Sequence, residues 1–188
     1  MFILASQSPR RHHLLAAAGY TFVVRVPDVD EAPLLSESAG DMVRRLAIIK
    51  AQACHDPSLA PVSLGADTTV FIDPFHSLGK PDHADHAIAM LSSLSGRRHW
   101  VSTAVAVVST TRLASIVVTS CVQFRTLSDS EIRAYVASGE PLDRAGAYAI
   151  QGGAGHFVQH VAGSWTSIVG LPMAETSALL ASFQLTPE

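Results

Sequence analysis

Two apolar runs of strand length, separated by three polar residues, constrain the fold of this chain more than any other feature. The runs at residues 99–109 and 113–124 are rich in β-branched side chains, and so short a connection joins neighbouring strands in antiparallel order. The predicted hairpin excludes an all-parallel, doubly wound sheet. Because helical runs alternate with strands elsewhere, the pattern predicts an α/β fold with a mixed sheet, flanking helices and two lobes.

The remaining elements follow from hydrophobic spacing and from residues typical of helix ends. Strands are predicted at residues 2–5, 20–26, 62–73, 147–151 and 157–161. Helices are predicted at residues 9–19, 38–55, 82–94, 128–138 and 172–183. Ser8 is expected to be the N-cap of the first helix, and Ser128 with Glu131 matches a capping box.

The composition excludes several classes of protein. Hydrophobic residues make up 48% of the 188, which indicates a globular chain, and we expect a single domain over residues 1–188. The net charge of −3 is unlike that of a general nucleic-acid binder, so no nucleic-acid partner is expected. No apolar run reaches the ~20 residues of a membrane span, and the N-terminus lacks a signal-peptide pattern. We therefore expect a cytoplasmic protein with no membrane contact, in which Cys54 and Cys121 are free thiols.

A polar turn between the first strand and the first helix is a candidate anion site. Ser8 and Pro9 open the helix, and Arg10 and Arg11 follow directly. Free N–H groups at a helix N-terminus attract anions, and neighbouring arginines can bind phosphate oxygens in pairs of hydrogen bonds. The alternative, which spacing alone does not exclude, is ordinary N-capping beside two solvated arginines.

Two acidic positions are candidates for metal binding or acid–base chemistry. Asp30 and Glu31 lie in a predicted loop, where adjacent carboxylates can hold Mg²⁺ or remain solvated. Asp67 follows Gly65 in a largely apolar strand, where a carboxylate is costly unless it is paired, hydrogen-bonded or bound to metal. The strand position favours a functional role for Asp67, with a turn at a strand end as the alternative.

Cationic and glycine-rich segments complete the candidates. Lys50 lies late in a predicted helix and Lys80 in a Gly-Lys-Pro turn, and each can either reach a phosphate or remain an ordinary surface cation. Gln151 lies among small residues, where its amide can bind a nucleobase edge, and the alternative there is a tight hairpin. The nine histidines show no spacing typical of a zinc site.

Taken in order, these segments resemble the Maf family of nucleoside triphosphate pyrophosphatases. The matching strings cover almost the whole chain: LASQSPRR at 4–11, DE at 30–31, LAIIKA at 46–51, GADT at 65–68, GKP at 79–81, LSG at 94–96, GEPLDRAGAY at 139–148, IQG at 150–152 and VGLP at 169–172. Each string is weak alone, and the ordered set is specific. Arg10, Thr68 and Gln151 match the specificity positions of the dTTP/UTP-type branch.

The resemblance implies a Maf/ITPase-like fold with a cleft between two lobes, frequent homodimers and a divalent cation, Mg²⁺ or Mn²⁺. It implies hydrolysis of dTTP and UTP to the monophosphate and pyrophosphate. Two alternatives stay open. One is a regulatory nucleotide-binding protein linked to septum formation, which would bind nucleotide through residues 8–11 without needing Asp67. The other is the same hydrolysis acting on 7-methyl-GTP.

The resemblance also suggests roles for individual residues. Glu31 and Asp67 are expected to hold the metal, and Asp67 is expected to accept the proton of the attacking water. Thr68 and Gln151 are expected to contact the substrate together with Ser8, whose following N–H groups face the phosphates. Four basic residues are expected to clamp the triphosphate: Arg10, Arg11, Lys50 and Lys80. Lys50 and Lys80 are also expected to be catalytic residues, together with Asp67 and Glu31.

Overall fold

A computed structural model describes residues 1–187 as a seven-stranded mixed sheet with helices on both faces. The strands are β1 Phe2–Ala5, β2 Phe22–Arg25, β3 Val62–Asp73, β4 His76–Leu78, β5 Arg98–Ser109, β6 Leu113–Phe124 and β7 Val158–Ala162. The helices are α1 Pro9–Ala17, α2 Ala39–Cys54, α3 Ala84–Leu94, α4 Asp129–Ala137, α5 Trp165–Val169 and α6 Met173–Ala181. Three short 3₁₀ turns lie at Glu140–Asp143, Ala145–Ala147 and Gly153–Phe157.

The strand order is β2-β1-β3-β5-β6-β7, with β4 paired to β3. β1 runs parallel to β2 and β3, whereas the pairs β3–β5, β5–β6 and β6–β7 are antiparallel. The β5–β6 hairpin keeps one register from Val108 opposite Leu113 to Arg98 opposite Gln123. The hairpin and the mixed α/β architecture predicted from the sequence are therefore confirmed.

The first lobe is built on the halves of β3 and β5 that lie near β1. Successive side chains of a strand point to opposite faces of a sheet, and both faces here are apolar. Leu64 packs with Leu15 of α1 and Leu180 of α6 on one face. On the other face, Ala106 of β5 packs with Leu46 of α2.

The second lobe uses the far ends of the same long strands. Val70 of β3, Val101 of β5 and Phe124 of β6 pack in one cluster with Leu91 of α3 and Ile132 of α4. The 12-residue strands β3, β5 and β6 thus run through both lobes. They fix how the lobes face each other across a central cleft.

The cleft begins at a gap in the pairing of β3. β1 pairs with residues 63–65 and β4 pairs from Val70 onward, so within the described chain one edge of residues 66–69 has no partner strand. β1 has β2 on one side and β3 on the other, which makes its carboxyl end the point where the sheet order reverses. In open α/β sheets, ligands bind outside strand ends at such a point.

Helix caps agree with the sequence in part. Ser128 and Glu131 form the predicted capping box at the start of α4, and Ser38 caps α2 by accepting from Asp41 N. Ser8 occupies the N-cap position of α1 but its side chain makes no capping hydrogen bond. Instead, the Ser8 N–H donates to Ser6 Oγ at 3.1 Å. The predicted N-cap position of Ser8 is therefore confirmed, and its hydroxyl does not cap the helix.

The strand predicted at residues 147–151 is also wrong, because this segment forms a 3₁₀ turn followed by an irregular turn. Gly146 and Ala147 have φ angles of +67° and +59°, which turn the chain away from an extended path. A Cβ atom at Gly146 would lie 2.9 Å from the Val70 side chain, so only glycine fits. β4 and α5, of three and five residues, are too short to give a periodic signal in the sequence.

Two smaller expectations concern the cysteines and membrane contact. Both cysteines are free, with Cys54 buried and Cys121 half-buried. Within residues 1–187, no helix combines the length and the apolar character that crossing a membrane requires.

Candidate active site

A cleft of about 750 Å³ lies between the lobes at the unpaired edge of β3. A volume in this range is typical of sites for small molecules. All nine residues predicted as site residues line it, although they come from separate segments of the chain: Ser8, Arg10, Arg11, Glu31, Lys50, Asp67, Thr68, Lys80 and Gln151.

The centre of the cleft is an ion pair between α2 and β3. Nζ of Lys50 donates to Oδ1 of Asp67 at 2.7 Å and lies 2.9 Å from Oε2 of Glu31. The side chains of Lys50 and Asp67 are only 8% and 11% exposed, whereas Glu31 reaches in from the loop after β2 and is 56% exposed. One ammonium group therefore joins two carboxylates that are distant in sequence.

Glycine at position 65 allows α2 to approach β3 closely enough for this pair. A Cβ atom on Gly65 would lie 2.3 Å from the carbonyl oxygen of Ala47 and 2.6 Å from the nitrogen of Ala51. Lys50 lies between these two alanines on α2. Asp67 lies two residues after Gly65 and therefore points to the same face of the sheet, which brings the two charged groups together.

Burial dominates the electrostatics of Asp67. Loss of solvent raises the pKa of Asp67, and the positive charges of Lys50 and Arg11 oppose the rise. Burial also lowers the pKa of the Arg11 guanidinium, and the Asp67 carboxylate opposes that decrease. A carboxylate with an increased affinity for protons, held among cations, is suited to take a proton from a bound water.

Arg11 is held by three neutral acceptors. Its Nε donates to the carbonyl oxygen of Gly170 at 2.8 Å, Nη1 to Ser6 Oγ at 3.4 Å and Nη2 to Thr68 Oγ1 at 3.2 Å. Among residues 1–187, no carboxylate forms an ion pair with this guanidinium. Its charge is therefore fixed in position and available to an anionic ligand.

A second cationic group lies at the mouth of the cleft. Lys80 donates to Oδ1 of Asp143, and both side chains are mostly exposed. Burial lowers the pKa of Arg10, and the charge of Asp143 opposes this effect. Asp143 is thus the shared counter-charge of two cations that were predicted to bind phosphate.

The start of α1 adds backbone donors to these cations. Pro9, the first helical residue, has no N–H, and the first helical hydrogen bond runs from His12 N to the Ser8 carbonyl. The N–H groups of Arg10 and Arg11 precede that bond and have no acceptor within the helix. They carry the partial positive charge of the helix terminus at the wall of the cleft.

Gln151 lies on the rim, in the turn between the second and third 3₁₀ turns, where its side chain is exposed. Both ends of this turn are fastened from α4 and the residues that follow it. The Tyr135 hydroxyl accepts from Ala149 N at 3.0 Å, and the Glu140 carboxylate accepts from Gly153 N at 2.9 Å. The amide of Gln151 is therefore presented by an anchored loop and not by the predicted strand.

Several residues of the site were not identified from the sequence. Ser6 and Gly170 hold Arg11, Asp143 pairs with Lys80, and Thr103 bonds to Thr68. Thr103 did leave a signal, because it forms with Ser102 a polar pair between Val101 and the apolar run of residues 104–108 in β5. Gly170 accepts through its backbone carbonyl, so the identity of its side chain does not reveal this role.

The carboxylates fit a metal that arrives with its ligand. Within residues 1–187, no group of three or more His, Cys, Asp or Glu residues is placed to hold a metal ion. Glu31 and Asp67 supply two carboxylates, and in each the oxygen not facing Lys50 has no hydrogen-bond partner in the described chain. Mg²⁺ commonly takes one or two carboxylates and completes its shell with water and phosphate oxygens, so this donor pair is adequate.

Comparisons of the sequence with known proteins agree on one family. A family model described as Maf-like protein matches residues 1–183. A dTTP/UTP pyrophosphatase of Shewanella denitrificans is 48% identical over 96% of this chain and 95% of its own length. Proteins of the same name from Vibrio vulnificus and Pseudoalteromonas atlantica are 49% and 46% identical, covering 96% and 100% of this chain and 97% and 100% of theirs. Among solved structures, the Staphylococcus aureus Ham1 protein matches with a TM-score of 0.48 and 13% identity over 97% of each chain.

Proposed function

The chain belongs to the Maf family, and from that premise we propose that it hydrolyses dTTP and UTP to the nucleoside monophosphate and pyrophosphate. One observation carries the proposal. The buried Asp67 carboxylate and Glu31 converge on Lys50 inside a cleft that Arg10, Arg11 and Lys80 also line. Such a cleft provides both the positive charge that a triphosphate requires and a group that can activate water.

The cations bind the triphosphate in this proposal. Arg11 is already oriented by its three acceptors, so its remaining N–H groups can bond phosphate oxygens with little reorganisation. Arg10 and Lys80 approach from the mouth of the cleft, where phosphate oxygens replace Asp143 as their counter-charge. The backbone N–H groups at the start of α1 bind oxygens that the side chains leave free.

Asp67 is the proposed general base. It accepts a proton from the attacking water while the water oxygen bonds to phosphorus. The anhydride bond between the α and β phosphates then breaks, and pyrophosphate leaves with the bonding electron pair. Lys50 keeps Asp67 ionised and oriented before the reaction. General-base assistance of this kind contributes about 10²–10⁴-fold to a rate.

Glu31 and Asp67 would hold the divalent cation, Mg²⁺ or Mn²⁺, through their oxygens that do not face Lys50. When bound, such an ion neutralises phosphate charge and polarises the reacting group. Glu31 lies in an exposed loop, so its carboxylate can adjust to an ion that arrives with the nucleotide. Lys50 holds the two carboxylates together in the absence of that ion.

Base selection is assigned to the rim of the cleft. The Gln151 amide offers one donor and one acceptor, which match the O4 and N3–H edge of uracil or thymine. Arg10 and Gln151 both line a small side pocket beside the main cleft. Thr68 lines the cleft next to Asp67, and we assign to it a further contact with the substrate.

We further propose that the chain acts as a cytoplasmic homodimer without a nucleic-acid partner. The family resemblance supports the dimer, and the net charge of −3 supports the lack of nucleic-acid binding. Light scattering on the purified protein tests the dimer directly.

The activity is tested by measuring pyrophosphate released from each common ribo- and deoxyribonucleoside triphosphate, with Mg²⁺ and with a chelator. We expect release from dTTP and UTP, at higher rates than from purine triphosphates, and loss of release in the chelator. Release of orthophosphate alone, or nucleotide binding without turnover, would reject the proposed reaction.

A further inference from the structure

A chain of hydrogen bonds begins at Arg11 and runs from β3 to β5 along one face of the sheet, ending at α5. Arg11 Nη2 lies 3.2 Å from Thr68 Oγ1, Thr68 Oγ1 lies 2.9 Å from Thr103 Oγ1, and Thr103 Oγ1 lies 2.7 Å from the carbonyl oxygen of Ser167. Thr68 and Thr103 are directly opposite each other in the β3–β5 register. Thr103 and Ser167 are fully buried, so water does not complete the chain.

The two ends of this chain fix the position of every proton in it. The carbonyl of Ser167 can only accept, so Thr103 must donate to it. The Thr103 oxygen then accepts the proton of the Thr68 hydroxyl. Arg11 can only donate, so Thr68 meets it with a lone pair. Thr68 therefore faces the cleft only as an acceptor, and its hydroxyl cannot rotate without breaking the bond to Thr103.

This direction matters for Arg11 because its guanidinium has only neutral acceptors. If the Thr68 hydroxyl pointed its proton toward the cleft, no lone pair would face Nη2 of Arg11. One of the three hydrogen bonds that orient the guanidinium would then be lost. The carbonyl of Ser167 also accepts from Gly170 N at 3.0 Å, and the carbonyl of Gly170 accepts from Arg11 Nε. The turn after α5 thus holds Arg11 directly and also through Thr103.

We propose that Thr103 is a positioning residue for this enzyme: it fixes the proton of the Thr68 hydroxyl and thereby the orientation of Arg11 toward the anionic part of the nucleotide. The inference rests on the proposed function for its kinetic readout. It assigns to Thr103 no contact with substrate, since Thr103 does not line the cleft.

The test compares Thr103→Val, which keeps the shape and removes the hydroxyl, with Thr103→Ser, which keeps the hydroxyl. We expect Thr103→Val to lower kcat/KM for UTP about tenfold, and Thr103→Ser to remain within about twofold of the wild type. The matched control is Ser102→Ala. Ser102 is the adjacent buried residue of β5, and its hydroxyl bonds to Thr119 at 2.7 Å on the opposite face of the sheet. We expect this control to leave kcat/KM unchanged.

A double-mutant cycle separates positioning from a general loss of stability. In a Thr68→Val background, Thr103→Val should change kcat/KM by less than about twofold, because the group through which it acts is already gone. An equal loss in both backgrounds, or a loss in Ser102→Ala as large as in Thr103→Val, would overturn the inference.

The same double-mutant cycle is repeated with a second measured quantity, the Kd of a UTP analogue that has a non-hydrolysable α,β linkage. If the wild type releases no pyrophosphate but the coupling between Thr68 and Thr103 appears in Kd, the proposed reaction fails and the positioning role stands. If the wild type is active and no coupling appears in either quantity, the positioning role fails alone.

Discussion

Replacing Gly65 with alanine tests whether the close contact of α2 with β3 sets both stability and the geometry of the active site. The new Cβ atom would lie 2.3 Å from the Ala47 carbonyl oxygen, 2.6 Å from Ala51 N and 3.1 Å from Ala51 Cα. All three atoms belong to the backbone of α2, so no side chain can rotate to make room. Relief to an ordinary contact of about 3.4 Å requires α2 to move away by about 1 Å.

The expected cost follows from that shift. Overpacking a well-filled interior typically costs about 1–3 kcal/mol, and backbone clashes place this substitution at the upper end. Lower entropy of the unfolded chain offsets about 0.4–1 kcal/mol, because the glycine-to-alanine change restricts it. We therefore expect a net loss of about 2 kcal/mol, which for a chain of this length lowers Tm by about 4–8 °C.

The same 1 Å shift carries Lys50 away from Asp67. Their contact of 2.7 Å would lengthen beyond the usual limit of about 3.2 Å for such a bond, so kcat should fall as well. Stability is measured by urea and thermal unfolding, and activity by pyrophosphate release.

The control for this substitution is Gly40→Ala, a glycine-to-alanine change in α2 itself, away from the contact with β3. Its Cβ atom would meet nothing closer than 4.0 Å, so this substitution should leave both stability and kcat at or above the wild-type values. A Gly65→Ala protein as stable as the wild type, with unchanged kcat, would show that the close approach of α2 to β3 sets neither stability nor the geometry of the site.

Three further predictions concern the rim and the centre of the cleft. Gln151→Glu should lower kcat/KM for UTP and dTTP relative to GTP by about tenfold, because it removes the amide donor; an unchanged substrate ranking would remove Gln151 from base selection. Burial raises the pKa of Asp67 in the free protein, so the acid limb of kcat/KM against pH, which reports the free enzyme, should lie above about 4, the ordinary Asp range. A pKa that is higher in the folded than in the unfolded protein also makes stability depend on pH. Below the unfolded-state pKa, Asp67 is protonated in both states and its ionisation costs nothing. As pH rises from there through the folded-state pKa, the Tm of the wild type should therefore fall relative to that of Asp67→Asn. A Tm difference independent of pH would contradict a raised pKa.

Local patterns predicted most of the fold because local physics decides those elements. The β5–β6 hairpin follows from two apolar runs around a three-residue connection, and the start of α4 follows from Ser128 and Glu131. The failure at residues 147–151 has the opposite cause. A short run of apolar residues there resembles a strand, but Gly146 packs against Val70 of a distant strand in a left-handed conformation. Tertiary contact decides that segment.

The site was predictable by residue type more than by geometry. A carboxylate within an apolar strand identified Asp67, since burial of an unpaired charge is too costly to be accidental. That Lys50 joins Asp67 to Glu31 depends on the approach of α2 at Gly65, which spacing along the chain does not encode. The role of Thr103 depends on a strand register and a carbonyl direction, neither of which a sequence motif records.

The rate of the Asp67→Asn protein at saturating UTP tests most directly whether the buried carboxylate activates water. A role of Asp67 as the general base predicts that kcat falls by about 10²–10⁴-fold, while circular dichroism is unchanged and the Kd of a non-hydrolysable UTP analogue stays within about tenfold of the wild-type value. A folded Asp67→Asn protein that releases pyrophosphate from UTP at the wild-type rate would contradict it.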